Sequence, residues 1–345
     1  MKPLRSGMIG CGHFARRHAE RLAALEDVQL VSFCDTVIEN ALAFTREFGQ
    51  GEEQVYADFE RMFEESELDL VYICLPPYAH SNEVEVACRY GVHFLIEKPI
   101  ALTMDLAQAM AEHVKTSGVK SQVGFMYRYG DATLWLKRHI EEAAVEDRAF
   151  FSARYACNSL HSWWWRDRTK SGGQLVEQVI HLFDLARFFL GEPVRVYSMQ
   201  DNLFHRDMED YTVEDASGTV VRFESGGIAV LSASNGAIPN RWDYDVRVVL
   251  PGITADFEDA NRAVFHHTDQ KWAATTTIAA EKDLHLAETL DLLAAIRDDR
   301  PTAVPIEEGV RSLHLVLAAA QSADQDVPVD ISLPGQGLSG VETLT

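Results

Sequence analysis

The chain has 345 residues, of which 47% are hydrophobic and 24% charged, and it carries a formal net charge of −22. That length fits two domains of roughly 100–200 residues each. The acidity, with no cluster of Lys and Arg, argues against a nucleic-acid partner and against an anionic membrane surface.

The five cysteines stand at 11, 34, 74, 88 and 157 with no C-x-x-C pair. They read as small buried hydrophobes in a reducing compartment. No apolar run approaches about 18 residues, and the first residues lack the apolar core of a leader. These features predict a cytoplasmic protein with no membrane anchor.

In chain order, SGMIG (6–10) reads as a strand, followed by a glycine turn and a helix to about Leu25. VQLVSFCD (28–35) is a second strand, with a helix after it to Phe48. DLVYICLP (69–76) is almost wholly apolar, as expected of a strand buried on both faces. A helix over 81–91, a strand over 93–99 and a helix over 103–117 follow. Such strand–helix repeats imply a parallel sheet with right-handed crossovers.

The pattern changes near Gly124. Strand-like runs at 149–157, 194–200, 216–224, 227–234 and 244–250 predict an antiparallel sheet. Helices are expected at 173–190, 281–298 and 307–323, and a loose tail at the end. The domains are therefore placed at 1–123 and 124–345. The fold class is α/β: an N-terminal doubly wound parallel sheet of Rossmann type, then an α+β domain with a large open, mainly antiparallel sheet.

Gly10-Cys11-Gly12-His13-Phe14-Ala15 follows the first strand and opens a helix, giving G-x-G-x-x-A. Gly10 permits the tight turn, Gly12 lets a pyrophosphate approach the backbone, and Ala15 allows close helix–sheet packing. The free N–H groups of the helix start then face the phosphates. The second strand ends in Asp35, 23 residues after Gly12, where a carboxylate can accept from a ribose 2′-OH. Thr36 follows it, with no Arg to receive a 2′-phosphate, so NAD is expected rather than NADP.

The helix at 173–190 is apolar almost all round and should be buried. Yet Glu177, His181 and Asp184 are spaced four and then three residues apart, and 3.6 residues per turn would stack them on one face. Such a stripe in a buried helix is costly unless it is paired or functional. A polar seam at a domain or subunit contact is the other reading of the same residues.

Taken together, GCGHFA, CLPPYAHSNEVEVACRYGVHFLIEKPIALT, GFMYRYG and SGGQLVEQVIHLFDLARFFLGEP resemble the glucose–fructose oxidoreductase/inositol dehydrogenase (Gfo/Idh/MocA) family over essentially the whole chain. The resemblance implies a Rossmann domain, a C-terminal open sheet buried in a homodimer or homotetramer, and hydride transfer between NAD and a carbinol carbon of a sugar, cyclitol or related compound. By that resemblance Glu97 and Lys98 belong to an E-K-P signature whose Lys contacts nicotinamide ribose and substrate. Leu75, Pro76 and His80 fall where a P-x-x-x-H segment lines the cofactor. Met126 and Arg128 fall where the next strand end meets nicotinamide and substrate.

Hydride transfer from an alcohol needs a base beside the carbinol oxygen. His181 is the leading base, because an imidazole's ordinary pKa of about 6.5 lies near operating pH. Lys98 is assigned as polariser or co-base, and Glu177 as the group that orients the imidazole or relays its proton. The family commonly carries Asp where this chain has Glu177, which weakens any transfer of substrate from the inositol dehydrogenases.

The run His161-Ser162-Trp163-Trp164-Trp165-Arg166-Asp167-Arg168 is the expected specificity element, with ordinary loop packing at a domain or subunit contact as the other reading. Three consecutive Trp cannot all face one core. Trp164 and Arg168 are assigned to substrate, with Gln178 and, on weaker grounds, Asn158 and Tyr155. No metal site is argued for, since His266, His267 and the other histidines lack Cys or carboxylates at ligand spacing. An NAD-retaining glycosidase or lyase is the alternative on the same scaffold. A non-catalytic NAD-binding regulator would be expected to lack Lys98 or His181, and both are present.

Overall fold

The computed structural model describes residues 2–49, 51, 53–143, 149–272 and 274–332. The expected terminal tail falls outside them. The chain forms two units: Met1–Gly124 with Asp283–Val310, and Phe125–Lys282 with Arg311–Thr345.

The first unit alternates strand and helix: β1 (Leu4–Ile9), α1 (His13–Ala23), β2 (Val28–Cys34), α2 (Ile38–Phe48), β3 (Gln54–Tyr56), α3 (Phe59–Glu65), β4 (Leu70–Ile73), α4 (Glu83–Tyr90), β5 (His93–Ile96), α5 (Met104–Ser117) and β6 (Ser121–Val123). The six strands are ordered β3-β2-β1-β4-β5-β6 and all pair in parallel. The chain adds β2 and β3 on one side of β1 and then β4, β5 and β6 on the other, so the strand order reverses between β1 and β4, the place where such sheets bind ligands in the crevice at their C-terminal ends. β4 is buried at all four positions, as its unbroken apolar run requires. The short β3, α3 and β6 carry too few apolar residues to show in the periodicity.

The division at 123/124 differs from the structure in one respect. α9 (Leu284–Arg297), the segment after it and the start of α10 (Ile306–Gln325) belong to the first unit. Leu292 and Leu293 of α9 are fully buried in one core with Met8, Phe33 and Tyr72. Val123 N donates to Val304 O at 2.9 Å. The helical period at 281–298 is plain in the sequence, but nothing in it says which core receives the apolar stripe.

The second unit holds α6 (Asp131–Ala143), β7 (Phe150–Ala156), α7 (Arg168–Ser171), α8 (Ile180–Leu190), β8 (Pro193–Asp201), β9 (Ala216–Phe223), β10 (Ile228–Ser234), β11 (Asp243–Leu250), β12 (Ile253–Asp259), β13 (Arg262–His267), β14 (Ala274–Ala279) and β15 (Val329–Asp330). The nine strands run β14-β13-β12-β11-β7-β10-β9-β8-β15. Only the β10–β7 pair is parallel. One face packs on α8, whose contacts include β7 and β10. The other carries exposed Phe150, Val220, Val230 and Val249 between charged side chains. No helix among the described residues is long and apolar enough to cross a membrane.

Candidate active site

In the first unit the turn after β1 is shaped by close backbone approach. Gly10 has φ +82°, and a Cβ there would lie 2.4 Å from the Cys74 carbonyl oxygen, so no larger residue fits. At Gly12 nothing lies within 4 Å of where a Cβ would be. α1 starts there with no side-chain cap and no acidic residue in its first turn, so its leading N–H groups face open space. Gly12, His13 and Phe14 are exposed, whereas Cys11 and Ala15 are buried. Burial pushes the Cys11 thiol well above its ordinary range, which suits an inert hydrophobe.

Asp35 ties the loop to the end of β2. Its Oδ2 accepts from Cys11 N at 2.9 Å and its Oδ1 from Val37 N at 2.8 Å, while Thr36 is exposed. Leu75 and Pro76 are half-buried beside the same crevice. His80 Nδ1 bonds Glu83 Oε1 at 2.6 Å, and its Nε2 is buried without a hydrogen-bond partner among the described residues. Burial would raise the Glu83 carboxyl, but the His80 hydrogen bond and charge outweigh it and hold the group below its usual range. The open helix start, the forced glycine and an imidazole nitrogen left over for a ligand all fit a dinucleotide.

Glu97 ends β5 and is buried. Its Oε1 meets His18 Nε2 at 2.8 Å and its Oε2 accepts from Lys98 N at 3.2 Å. Lys98 is half-buried, its ammonium 5.9 Å from the Phe14 ring centroid.

In the second unit the expected helix at 173–190 is present with a different start. Leu175–Val179 form a π-turn that runs directly into α8. Gly173, at φ +97°, precedes it, and a Cβ there would meet Glu214 Oε2 at 2.4 Å. Glu214 Oε1 accepts from Leu175 N at 2.7 Å and so caps the segment. Burial raises this carboxyl to about 7.

Hydrogen bonding i→i+5 widens the turn, so the three polar residues do not form the single stripe that a uniform α-helix would give. Glu177 and His181 are half-buried, but Asp184 is turned into the core. There Asp184 accepts two bonds from Arg128, at 2.8 and 2.7 Å, and one from Ser312 at 2.8 Å. Arg128, expected to reach substrate, is thereby held in a buried bidentate ion pair. Such a pair costs several kcal/mol to break from one side.

His181 sits against aromatic rings, with centroids 4.8 Å from Tyr127 and 6.1 Å from Phe125. Tyr127 stacks on Tyr244 at 4.9 Å, and Tyr244 is the register partner of Tyr155 across β11 and β7. Burial raises all three phenols, Tyr127 to about 12, so each remains a neutral hydroxyl at neutral pH. Glu177 Oε2 accepts from Trp165 Nε1 at 2.9 Å. Met126 opens the short 3₁₀ turn that carries Tyr127.

The Trp run divides as its length demands. Trp165 is buried with Tyr211 and Val213, Trp164 packs against that cluster, and Trp163 is 60% exposed. Arg168 is paired with Asp324 at 2.8 Å, Arg166 with Asp210 at 2.9 Å, and Lys170 with Asp167. Gln178 is buried and bonds Gln174 at 3.2 Å and His161 at 3.2 Å. Asn158 donates to Ala237 O at 3.1 Å. Gln178, Arg168 and Asn158, expected to touch substrate, thus also serve as internal ties.

Sequence reasoning missed Tyr127 and Tyr244. The aromatic content of GFMYRYG and the YDVRVVL strand was visible, but their meeting depends on strand register. It also missed His18, His285 and Glu288, three buried groups of the first unit whose ligand-type atoms lie within 4.8 Å of one another and of Glu97.

The first unit defines a dinucleotide-binding protein of Rossmann type. Residues 4–125 match the model of an oxidoreductase family with an NAD-binding Rossmann fold, and residues 150–331 match that family's C-terminal alpha/beta domain. The chain belongs to this family, Gfo/Idh/MocA, and is an NAD-binding oxidoreductase. It is 27% identical to the myo-inositol 2-dehydrogenase of Thermotoga maritima over 93% of this chain and 97% of that one. It is 27% identical to the D-glucoside 3-dehydrogenase of Escherichia coli over 95% and 98% of the two chains. A levoglucosan dehydrogenase solved with NADH and L-sorbose shares the fold with a TM-score of 0.87 at 20% identity, over 96% of this chain and all of that one (100%).

Asp35 carries an expected result of its own. If the carboxylate that ties Cys11 N and Val37 N also accepts from the ribose, as the sequence leads one to expect, Asp35→Ala should weaken NADH binding about tenfold or more, the scale of a lost hydrogen bond to a charged group. It should also narrow the preference for NADH over NADPH. Titrating both nucleotides by NADH fluorescence reads this, and tighter NADPH binding by the unaltered protein would defeat the assignment.

Proposed function

We propose that the protein oxidises a secondary alcohol of an uncharged, polyhydroxylated substrate, a sugar or cyclitol, with NAD as hydride acceptor. The observation that carries the uncharged substrate is the state of the cations around the aromatic run. Arg128, Arg166, Arg168 and Lys170 each face an acidic side chain. A phosphate or carboxylate on the substrate would have to compete with those partners. Neutral phenols, indoles and an imidazole suit hydroxyls and sugar C–H faces.

When bound, NAD supplies the nicotinamide carbon that takes the hydride. His181 accepts the hydroxyl proton. Lys98 donates a hydrogen bond to the oxygen as charge builds there, the electrostatic help that such a step needs. Glu177, fixed by Trp165, holds the orientation of the polar turn that precedes His181. The sugar- and inositol-directed names of the relatives support the substrate class. The apolar stripe on the open sheet face, with Phe150 opposite Val249 and Val220 opposite Val230, supports a homodimer or homotetramer built through that sheet. A cytoplasmic location is part of the same proposal.

The test is a panel of neutral sugars and cyclitols beside their phosphorylated and carboxylated counterparts, followed by NADH formation. Neutral compounds should be turned over with kcat/KM at least about tenfold above their charged counterparts, the size of one mismatched polar contact. Preference for a phosphorylated or acidic member would overturn the reading. Substrate consumption with no net NADH would point instead to an NAD-retaining glycosidase or lyase.

A further inference from the structure

Behind the crevice of the first unit lie two imidazoles and two carboxylates. His18 on α1 is 0% exposed, Glu97 7%, His285 on α9 7% and Glu288 on α9 0%. His18 Nε2 bonds Glu97 Oε1 at 2.8 Å, and His285 Nδ1 bonds Glu288 Oε1 at 3.2 Å. The two rings meet edge-on at 5.3 Å. His18 Nδ1 and Glu288 Oε2 are buried without partners among the described residues.

Charge dictates what this group must hold. Two ionised carboxylates beside two neutral imidazoles would place two negative charges in a dry core, which is prohibitively costly. Protons or a cation must balance them. The short His18–Glu97 contact and its place in the chain add a mechanical consequence. α1 begins at the open Gly12 end, and Glu97 Oε2 holds the backbone N–H of Lys98. One salt-bridged pair therefore joins the helix of the glycine loop to the strand end that carries Lys98.

We propose that His18, Glu97, His285 and Glu288 form a buried proton-holding quartet, with one proton in the His18–Glu97 pair and one on Glu288, and that His18 is a positioning residue for Lys98. The positioning part rests on the catalytic reading of Lys98, whereas the proton count does not. The electrostatics agree. Burial would raise Glu97, but the His18 hydrogen bond and charge, with Lys98, pull it down to about 2. Burial and the Glu97 charge push Glu288 well above the usual carboxylate range, against the His18 charge. Burial lowers His285.

The other charged groups facing the quartet are few. From α1, Arg17 acts on His285, and Arg21 acts on both His285 and Glu288. Asp283, just before α9, acts on the same two. Tyr72 and Cys74, on and just after β4, feel the Glu288 charge and are themselves raised by burial.

An acid whose folded pKa lies above its unfolded one stabilises the fold fully below the unfolded value. That contribution is lost as pH rises through the folded value. The unaltered protein should therefore give up about one proton from Glu288 on unfolding at neutral pH, and its unfolding constant should rise by about tenfold per pH unit from this group. Glu288→Gln keeps the shape and hydrogen-bonding of the protonated acid and removes the titration. Near pH 4 the two proteins should melt within about 2 °C of each other, and the variant should gain on the parent as pH rises toward about 8. His18→Gln should lower kcat about tenfold and move the acid limb of the kcat/KM profile, with NADH affinity nearly kept.

The experiment is a melting-temperature series across pH on the full chain and Glu288→Gln, with metal analysis of the purified protein and pH profiles of His18→Gln. A pH-independent gap would mean that Glu288 is ionised and would overturn the quartet. One equivalent of bound zinc or another divalent metal would overturn it too, since a cation would stand in place of the protons. An unchanged kcat and pH profile in a folded His18→Gln would remove the positioning role. If no alcohol in the panel is oxidised, the functional reading fails alone, because the melting and metal measurements use no substrate.

Discussion

Lys98→Ala is expected to lose about 10²-fold or more in kcat, the usual scale of general acid–base assistance, while the protein stays folded and still binds NADH. Its backbone N–H is held by Glu97 Oε2 at 3.2 Å, and its ammonium lies over the Phe14 ring at the exposed start of α1. The side chain therefore stands at the mouth of the crevice that the glycine turn defines. A long flexible lysine gains orientation only if the chain before it is fixed, and the buried Glu97 fixes it. Removing the ammonium should cost transition-state stabilisation more than cofactor binding, so kcat should fall more than the affinity for NADH. Single-turnover measurement of NADH formation, with nucleotide titration on the same preparation, separates the two. Near-normal turnover in a folded Lys98→Ala would remove Lys98 from the mechanism.

Much of this arrangement is legible in the residues. G-x-G-x-x-A followed by Asp35 locates the dinucleotide turn because each position answers a local steric or electrostatic demand. Gly10 against the Cys74 carbonyl is the plainest case. The apolar run at 69–76 identifies a central strand for the same local reason. What depends on long-range packing is not legible. The return of α9 to the first core, the meeting of His18 with His285 and the stacking of Tyr127 on Tyr244 join residues far apart in sequence. The π-turn is a further case, since Leu175–Val179 have an ordinary helical pattern. Its visible cue is the Gly172-Gly173 pair, but its cap, Glu214, is about forty residues downstream in a stretch with no pattern of its own.

The widened turn also changes what Glu177 and His181 should do when altered. His181→Ala is expected to lower kcat by about 10²–10⁴-fold, since it removes the proposed base. Glu177→Gln should cost less, about tenfold, because the amide can still accept from Trp165 Nε1 while the charge is gone. Trp165→Phe deletes only that donor and should reproduce part of the Glu177→Gln loss without touching His181. If the three act as one unit, the double variant of Glu177 and His181 should cost much less than the product of the single losses. The ionisation in the kcat/KM profile that belongs to an imidazole should vanish or move in His181→Ala and persist in Trp165→Phe. A purely packing role for the same residues makes a different prediction. The helix they sit on is largely buried and its first turn is capped by a buried carboxyl, so losing a seam contact would lower the melting temperature and leave turnover per folded molecule nearly intact. Melting temperature and kcat measured on the same samples distinguish the cases, and lost stability with an unchanged rate would defeat the catalytic assignment.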